Sequence, residues 1–363
     1  VTTDSSGAEP GADRAAPCAP DDYPLEAKVA HLRRPESYTP PAARVEALET
    51  HMSWVFLTDT HAWKLKKPVR RDFLDYATVE ARRANCEAEV RLNRRLAPAV
   101  YLGAVPLAVA ADGSLALGGS GRPVDWLVQM QRLPRERMLD ALIAAGAVTE
   151  ADLAAVVRVL AAFYRSASRV PISPGDYCER LRSDIESTGR ALAALPGAWS
   201  GTAASRIAAI LQRFVDDHTS TLAVRVSAGR VIEGHGDLRP EHVCLIEPPA
   251  VIDCLEFNER FRWLDVADEL AFLALECERL GATAVGERLF ADCTAAVEDR
   301  VPAPLFDFYA AGRALLRAKL AAWHLADVPL ALHEKWSARV REYLELAARH
   351  AEAAAAGECT PLV

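Results

Sequence analysis

Apolar and polar positions alternate with period two in the first third of the chain, then change to a helical period. Ser53-Trp54-Val55-Phe56-Leu57-Thr58 and His61–Lys66 read as two strands, with Asp59-Thr60 turning between them. Val100–Ala110, Ala116–Gly118 and Val124–Met130 read as further strands. Thr78–Leu96 is free of Gly and Pro and rich in Glu, Arg and Ala, which predicts a helix stopped by Pro98. A short helix is expected around Arg44–Glu49, after Pro40-Pro41. From Glu136 onward the pattern is mostly helical. Thr149–Ser168, Tyr177–Leu195 and Thr202–Ala223 are the expected helices, with Pro171–Gly175 and Pro196–Gly201 as loops. One interruption follows, made of the short strands Arg230–Glu233, Val243–Ile246 and Ala250–Ile252. Helices then return at Asp265–Leu280, Ala282–Arg300, Leu305–Leu325 and Leu332–Ala356, and no repeat at a fixed period is visible. The order predicts an α+β chain. A β-rich lobe over 25–133 holds one long helix, a link lies near 130–134, and a helical lobe over 134–356 carries a small hairpin, with tails at 1–24 and 357–363.

Composition narrows the partners. The 363 residues are 51% hydrophobic and 25% charged, an ordinary globular balance, and the net charge of -8 argues against nucleic acid or an anionic membrane as partner. No apolar run of about 18 residues occurs, so no membrane span is expected. Val1–Pro20 is small, polar and acidic, without a basic start or an apolar stretch, and reads as a disordered tail rather than a secretory signal. Eight cysteines form no C-x-x-C pair and mostly fall in apolar segments, which reads as reduced core thiols and a cytoplasmic compartment. No obligate protein partner is evident.

The chemistry concentrates in Glu233-Gly234-His235-Gly236-Asp237-Leu238-Arg239-Pro240-Glu241-His242 and, after a turn, Val251-Ile252-Asp253. A hairpin would bring the two loops together, setting Asp237 beside Asp253. Phosphoryl transfer needs that arrangement: one carboxylate to orient an acceptor hydroxyl and another to hold a metal ion on the phosphates. By itself an H-G-D turn can be a surface loop with incidental acids. The flanking strands and the following apolar-Asp favour a built site. The segment resembles the catalytic loop of aminoglycoside and choline kinases, and Ile252-Asp253 resembles their metal-binding segment. Thr50–Leu57, Lys64–Val69, Phe73-Leu74-Asp75, Leu92–Pro98, Tyr101-Leu102-Gly103 and Glu256-Phe257-Asn258 are similar to bacterial aminoglycoside-kinase-like proteins that are sometimes fused to a P-loop ATP-binding domain.

That resemblance spans roughly residues 30–350 and implies a bilobal, protein-kinase-like fold. It also implies an ATP-dependent phosphotransferase with Mg²⁺ and a small-molecule acceptor, such as a sugar or sugar acid. Asp237 would be the catalytic base, His235 the organiser of its loop, and Asp253 the metal ligand. On the nucleotide side, Lys64 and Lys66 share one strand face while Lys67 points away. Glu89 is preferred to Glu80 and Glu87 as their partner, because it lies seven residues before Leu96, the offset usual in this class. The segment Trp126–Pro134 reads as the hinge, with Met130, Gln131 and Leu133 offering backbone to the adenine. No G-x-G-x-x-G or Walker loop is present, and Glu49–Ser53 is placed to cover the phosphates instead.

The chain departs from the pattern at His242, where aminoglycoside kinases carry a metal-binding Asn. Imidazole suits Mn²⁺ or Zn²⁺ better than hard Mg²⁺, so His242 either holds a softer ion such as Mn²⁺, or donates a hydrogen bond to phosphate, or leaves a single metal to Asp253. Two rival readings follow: an ATP-binding pseudokinase with weak or no transfer, and a metal-dependent hydrolase built on His235, Asp237 and His242. Asp265 reads as a helix N-cap or as part of the D-x-A segment of the class. Glu256 could reach the metal's surroundings or the substrate, or face solvent. Tyr309, Arg313 and Arg317 fall four residues apart on one helix face, with Lys319 offset. That face is either an anion-binding wall for the acceptor or a solvated basic surface.

Overall fold

A computed structural model describes residues 23–71, 74–195, 202–327, 329–357 and 359. The expected tail over 1–20, the loop 196–201, Phe73, Glu358 and residues 360–363 lie outside the described residues. The chain divides into two compact units: 1–92, 99–132 and 256–258 form the first, and 93–98, 133–255 and 259–363 the second.

The first unit contains α1 (Leu25–Leu32), β1 (Glu46–Glu49), β2 (Ser53–Leu57), β3 (His61–Lys66), β4 (Arg70–Arg71) and β5 (Leu74–Asp75). It continues with α2 (Val79–Asn93), β6 (Tyr101–Val109), β7 (Leu115–Leu117) and β8 (Arg122–Gln131). Six strands make one sheet in the order β1-β2-β3-β8-β6-β7, and every pairing in it is antiparallel. Alternation along β3 sorts its side chains. Trp63 and Leu65 join an apolar cluster with Val29 and Leu32 of α1, Phe56, Leu107 and Leu127, while Lys64 and Lys66 turn to the other face and meet Glu89 of α2. The expected helix around Arg44–Glu49 is instead β1. Its helix-forming residues pair with β2, Glu46 opposite Leu57 and Glu49 opposite Trp54, so the sheet edge overrides local preference.

In the second unit, α3 (Leu139–Ala144), α4 (Glu150–Ser166), α5 (Pro174–Ala193), α6 (Thr202–Asp217) and α7 (Thr219–Ser227) precede the short strands β9 (Val231–Glu233), β10 (Val243–Cys244), β11 (Ala250–Val251) and β12 (Trp263–Asp265). Then come α8 (Val266–Arg279), α9 (Thr283–Ala296), α10 (Ala303–Asp327) and α11 (His333–Ala356). The single helix expected over Thr202–Ala223 is broken at His218, whose φ of -116° and ψ of 26° leave the helical region. Two apolar clusters fill this unit. One lies among α5, α6, α8, α10 and α11, and the other joins α4, α8 and α9 to the β10–β11 hairpin. The seven described cysteines are buried thiols. No described helix is long and apolar enough to cross a membrane.

A partly buried histidine ties three helices of this unit together. His350 Nδ1 lies 2.7 Å from Asp307 Oδ1 and its Nε2 2.9 Å from Glu278 Oε2. Burial disfavours its charge, but the two carboxylates outweigh burial and raise its pKa from 6.5 to about 9. A histidine whose pKa is raised on folding contributes stability that is complete below its unfolded value and lost as pH rises through the folded one. Urea-unfolding stability should therefore decline between pH 6.5 and 9, and His350→Gln should remove that slope. An unchanged slope in the variant would assign the decline to other groups.

Candidate active site

The H-G-D loop leaves β9 and is held from behind by α8. Glu269 is fully buried there, and its Oε1 accepts the backbone N–H groups of both His235 and Gly236 at 2.7 Å. Burial raises the pKa of this carboxyl against those two bonds. Gly236 has φ of +90°, and a Cβ there would meet the Phe261 carbonyl oxygen at 3.0 Å, so the loop needs glycine on both counts. Arg95 spans the carbonyls of Glu233 (2.9 Å) and Gly234 (2.8 Å) on the approach to the loop. His235 is wholly buried, with Nε2 2.9 Å from the Ile252 carbonyl and Nδ1 accepting the Asp237 N–H at 3.3 Å. Burial and the neighbouring His242 lower its pKa to about 3, so it is neutral at physiological pH and both ring nitrogens are engaged.

Asp237 follows at the open end of the loop. Arg239 Nη2 donates to its Oδ2 at 2.8 Å, and the other arm of Arg239 bonds Glu241. Burial would raise the Asp237 pKa, but Arg239, His242 and Arg317 outweigh it and hold the carboxyl below its usual value. Asp237 is thus an anion ready to accept a hydroxyl proton. His242 connects it to the second loop. Its Nδ1 lies 2.8 Å from the Asp237 carbonyl, which assigns the ring proton to that side and leaves the Nε2 lone pair 3.6 Å from Asp253 Oδ2 and 3.2 Å from Arg239 Nη2. The hairpin fixes this approach, because Ile252 N–H donates to the His242 carbonyl at 2.9 Å. Asp253 takes the left-handed conformation, φ 63°, with its carboxylate 45% exposed. Asp tolerates that backbone better than most residues, and such strain recurs at ligand sites.

The first unit holds the lysine pair. Lys66 is 1% exposed and its ammonium bonds Glu89 Oε2 at 2.6 Å, Glu256 Oε1 and the Tyr76 hydroxyl. Lys64, 18% exposed, reaches the other Glu89 oxygen at 3.0 Å. Glu87 instead pairs with Arg83 on the surface. Glu256, expected near metal or substrate, is a counter-ion of Lys66 and accepts the Tyr76 hydroxyl at 2.5 Å. Met130 and Gln131 lie inside the sheet, opposite Ala62 and His61, and Gln131 N–H is already given to the Val100 carbonyl. That amide is therefore bonded within the first unit. Leu133 is the second residue after the end of β8. The Glu49–Ser53 turn is tied by Lys67 to Glu49 and to the Thr50 carbonyl, each at 2.6 Å.

The arginine pair of α10 is ion-paired to α8. Both arms of Arg313 grip Asp268 at 2.7 Å, and Arg317 lies 3.6 Å from Glu276 and 3.4 Å from the Tyr343 hydroxyl. Tyr309 is buried against Asp265, which caps α8 and pairs with Arg225. These groups hold the scaffold. Reading from the chain missed Glu269, Arg239 and Arg95. A signal for the first existed, since Glu269 and Glu276 fall seven apart within the apolar stripe of α8.

Uncharacterised proteins of Mycobacterium bovis and Mycobacterium tuberculosis are 35% identical over 285 residues, which are 76% of this chain and 54% of theirs. The chain spans about half the length of the curated relatives it matches. No family model matches. Similar solved structures include a choline/ethanolamine kinase family protein of Mesorhizobium loti, with TM-score 0.48, 14% identity, and 92% of this chain and 100% of that one covered. An aminoglycoside phosphotransferase of Streptomyces rimosus, solved with ADP and streptomycin, gives 0.46 at 14% identity, over 80% and 98%. A choline kinase of Cryptosporidium parvum gives 0.46 at 8%, over 88% and 93%. The similar structures are small-molecule kinases.

Proposed function

We propose that the protein is an ATP-dependent phosphotransferase that moves the γ-phosphate to a hydroxyl of a small molecule. The observation that carries this reading is the pair of carboxylates on adjoining loops, Asp237 held anionic and Asp253 half-exposed, with His242 between them. Asp237 accepts the proton of the acceptor hydroxyl, and Arg239 keeps its carboxylate aimed. Lys64 and Lys66, positioned by Glu89, hold the phosphates, with Lys64 the more accessible of the two. Backbone at Met130 and Leu133 receives the base. The Asp253 carboxylate is a hard donor that fits Mg²⁺, while the His242 lone pair adds a donor suited to Mn²⁺. When bound, that ion would neutralise charge on the transferring phosphate.

The hydrolase reading loses support from His235, whose ring nitrogens are both bonded inside the protein. Among the described residues, no group of three or more His, Cys, Asp or Glu is arranged to hold a metal ion. A pseudokinase would bind ATP and release little or no ADP with any acceptor. The deciding experiment measures ADP release over Mg²⁺ and Mn²⁺ titrations with wild type, Asp253→Asn and His242→Asn. Loss of the Asp253 carboxylate should raise the Mg²⁺ needed for half-maximal rate by about 10–100-fold. An unshifted Mg²⁺ curve would remove Asp253 from the metal site, and an unaltered Mg²⁺/Mn²⁺ preference in His242→Asn would remove His242.

A further inference from the structure

Arg313 and Arg317 are paired to Asp268 and Glu276, whereas an arginine of α5 keeps unmet donors among the described residues. Arg180 has its Nε and Nη1 closed to solvent with no hydrogen-bond partner among the described residues. Its guanidinium carbon stands 5.4 Å from the centre of the Tyr177 ring, a contact that fixes the group without neutralising it. Buried donors left unmet are costly, and proteins retain them where a ligand or ordered water completes them. A guanidinium is also the group best shaped for a carboxylate or phosphate, and that of Arg180 is only partly exposed.

The surroundings connect this arginine to the catalytic loop. Tyr177 bonds Tyr309 at 3.1 Å, and Tyr309 bonds Asp265, so α5 is fastened to α10 and to the cap of α8. Asp184, one turn after Arg180, is exposed and feels the charges of Arg180, Lys319, Arg313 and Asp268. Arg313 in turn feels both Asp268 and Asp237, and its Nη1 approaches the Gly236 carbonyl at 3.4 Å. Lys319 stands over Trp323 and reaches Thr188 of α5 at 3.3 Å, with no carboxylate among its hydrogen-bond partners. Arg313 and Asp268 cancel. That leaves Arg180 and Lys319 against Asp184, a net positive patch carrying one carboxylate that can accept hydroxyl groups.

We propose that Arg180 anchors an oxyanion of the acceptor, so that the molecule phosphorylated is a small alcohol bearing a carboxylate or a phosphate. The identity of this molecule as an acceptor rests on the phosphotransferase reading of Asp237, whereas its binding does not. The oxyanion lies on Arg180 with Lys319 adding charge, and Asp184 takes hydroxyls of the same molecule. This arrangement disfavours cationic acceptors, because Arg180 would face a second positive charge.

The test is calorimetric titration of the full chain, with nucleotide present, using matched probes. These are gluconate against glucose and glucosamine, and glycerol 3-phosphate against glycerol. The anionic probe of at least one set should bind about tenfold or more tightly than its uncharged counterpart, and the set that responds distinguishes carboxylate from phosphate. Arg180→Gln should abolish that preference, while Arg180→Lys keeps part of it and ATP affinity stays unchanged in both. Equal binding of charged and uncharged probes, no binding of either anion, preference for glucosamine, or an anion preference that survives in Arg180→Gln would each overturn the proposal. The wild-type comparison decides even if Arg180→Gln does not fold. Anion binding without ADP release would leave the Arg180 site standing and sink the phosphotransferase reading instead.

Discussion

Asp237→Asn is expected to lower phosphoryl transfer by about 10²–10⁴-fold while leaving ATP affinity near the wild-type value. The substitution keeps the side-chain shape and an oxygen that can still accept from Arg239, 2.8 Å away. What it removes is the negative charge that Arg239, His242 and Arg317 stabilise against burial. The loop behind it should not move, since Glu269 holds the His235 and Gly236 amides and His242 holds the Asp237 carbonyl. Steady-state ADP release alongside an ATP titration makes the measurement. Loss of rate with unchanged nucleotide affinity separates a catalytic defect from misfolding; a wild-type rate would exclude Asp237 as the base.

Asp125→Ala should cost about 3–5 kcal/mol of stability, the usual result of stripping the partner from a buried charge. Asp125 on β8 is fully buried and accepts Arg82 Nε at 2.7 Å and Lys28 Nζ at 2.9 Å, both almost inaccessible to water. One carboxylate thus fastens α1 and α2 to the central strand of the sheet. Removing it leaves two cations in a medium that solvates them poorly. Urea unfolding followed by Trp fluorescence would report the loss. Adding Lys28→Met and Arg82→Met to Asp125→Ala should recover much of it, because an apolar cluster avoids the desolvation cost. Failure of that recovery would mean that the network supplies shape as well as charge.

Much of the local structure could be read along the chain. Period-two alternation located β2 and β3, and it correctly placed Lys64 and Lys66 on one face, where both meet Glu89. The H-G-D loop and the return to Asp253 were legible from their residue types, the strands beside them and a family resemblance, whereas the positive φ of Gly236 emerged only in the fold. The helix expected at Arg44–Glu49 failed because its residues prefer helix only until a neighbouring strand offers them a ladder. The α10 arginines were spaced correctly on one face, yet spacing does not reveal that α8 brings Asp268 and Glu276 against them.

What the sequence by itself determined is where the chain turns, which residues share a face and which loops carry Asp237 and Asp253. Only the tertiary structure decided how the charges pair: Glu256 with Lys66, Asp125 with Lys28 and Arg82, and Arg313 with Asp268, while Arg180 keeps two donors unbonded among the described residues. The physical reason is range. Backbone conformation and side-chain period are set within a few residues, whereas the energy of a buried charge depends on whatever is folded to within a few ångströms of it.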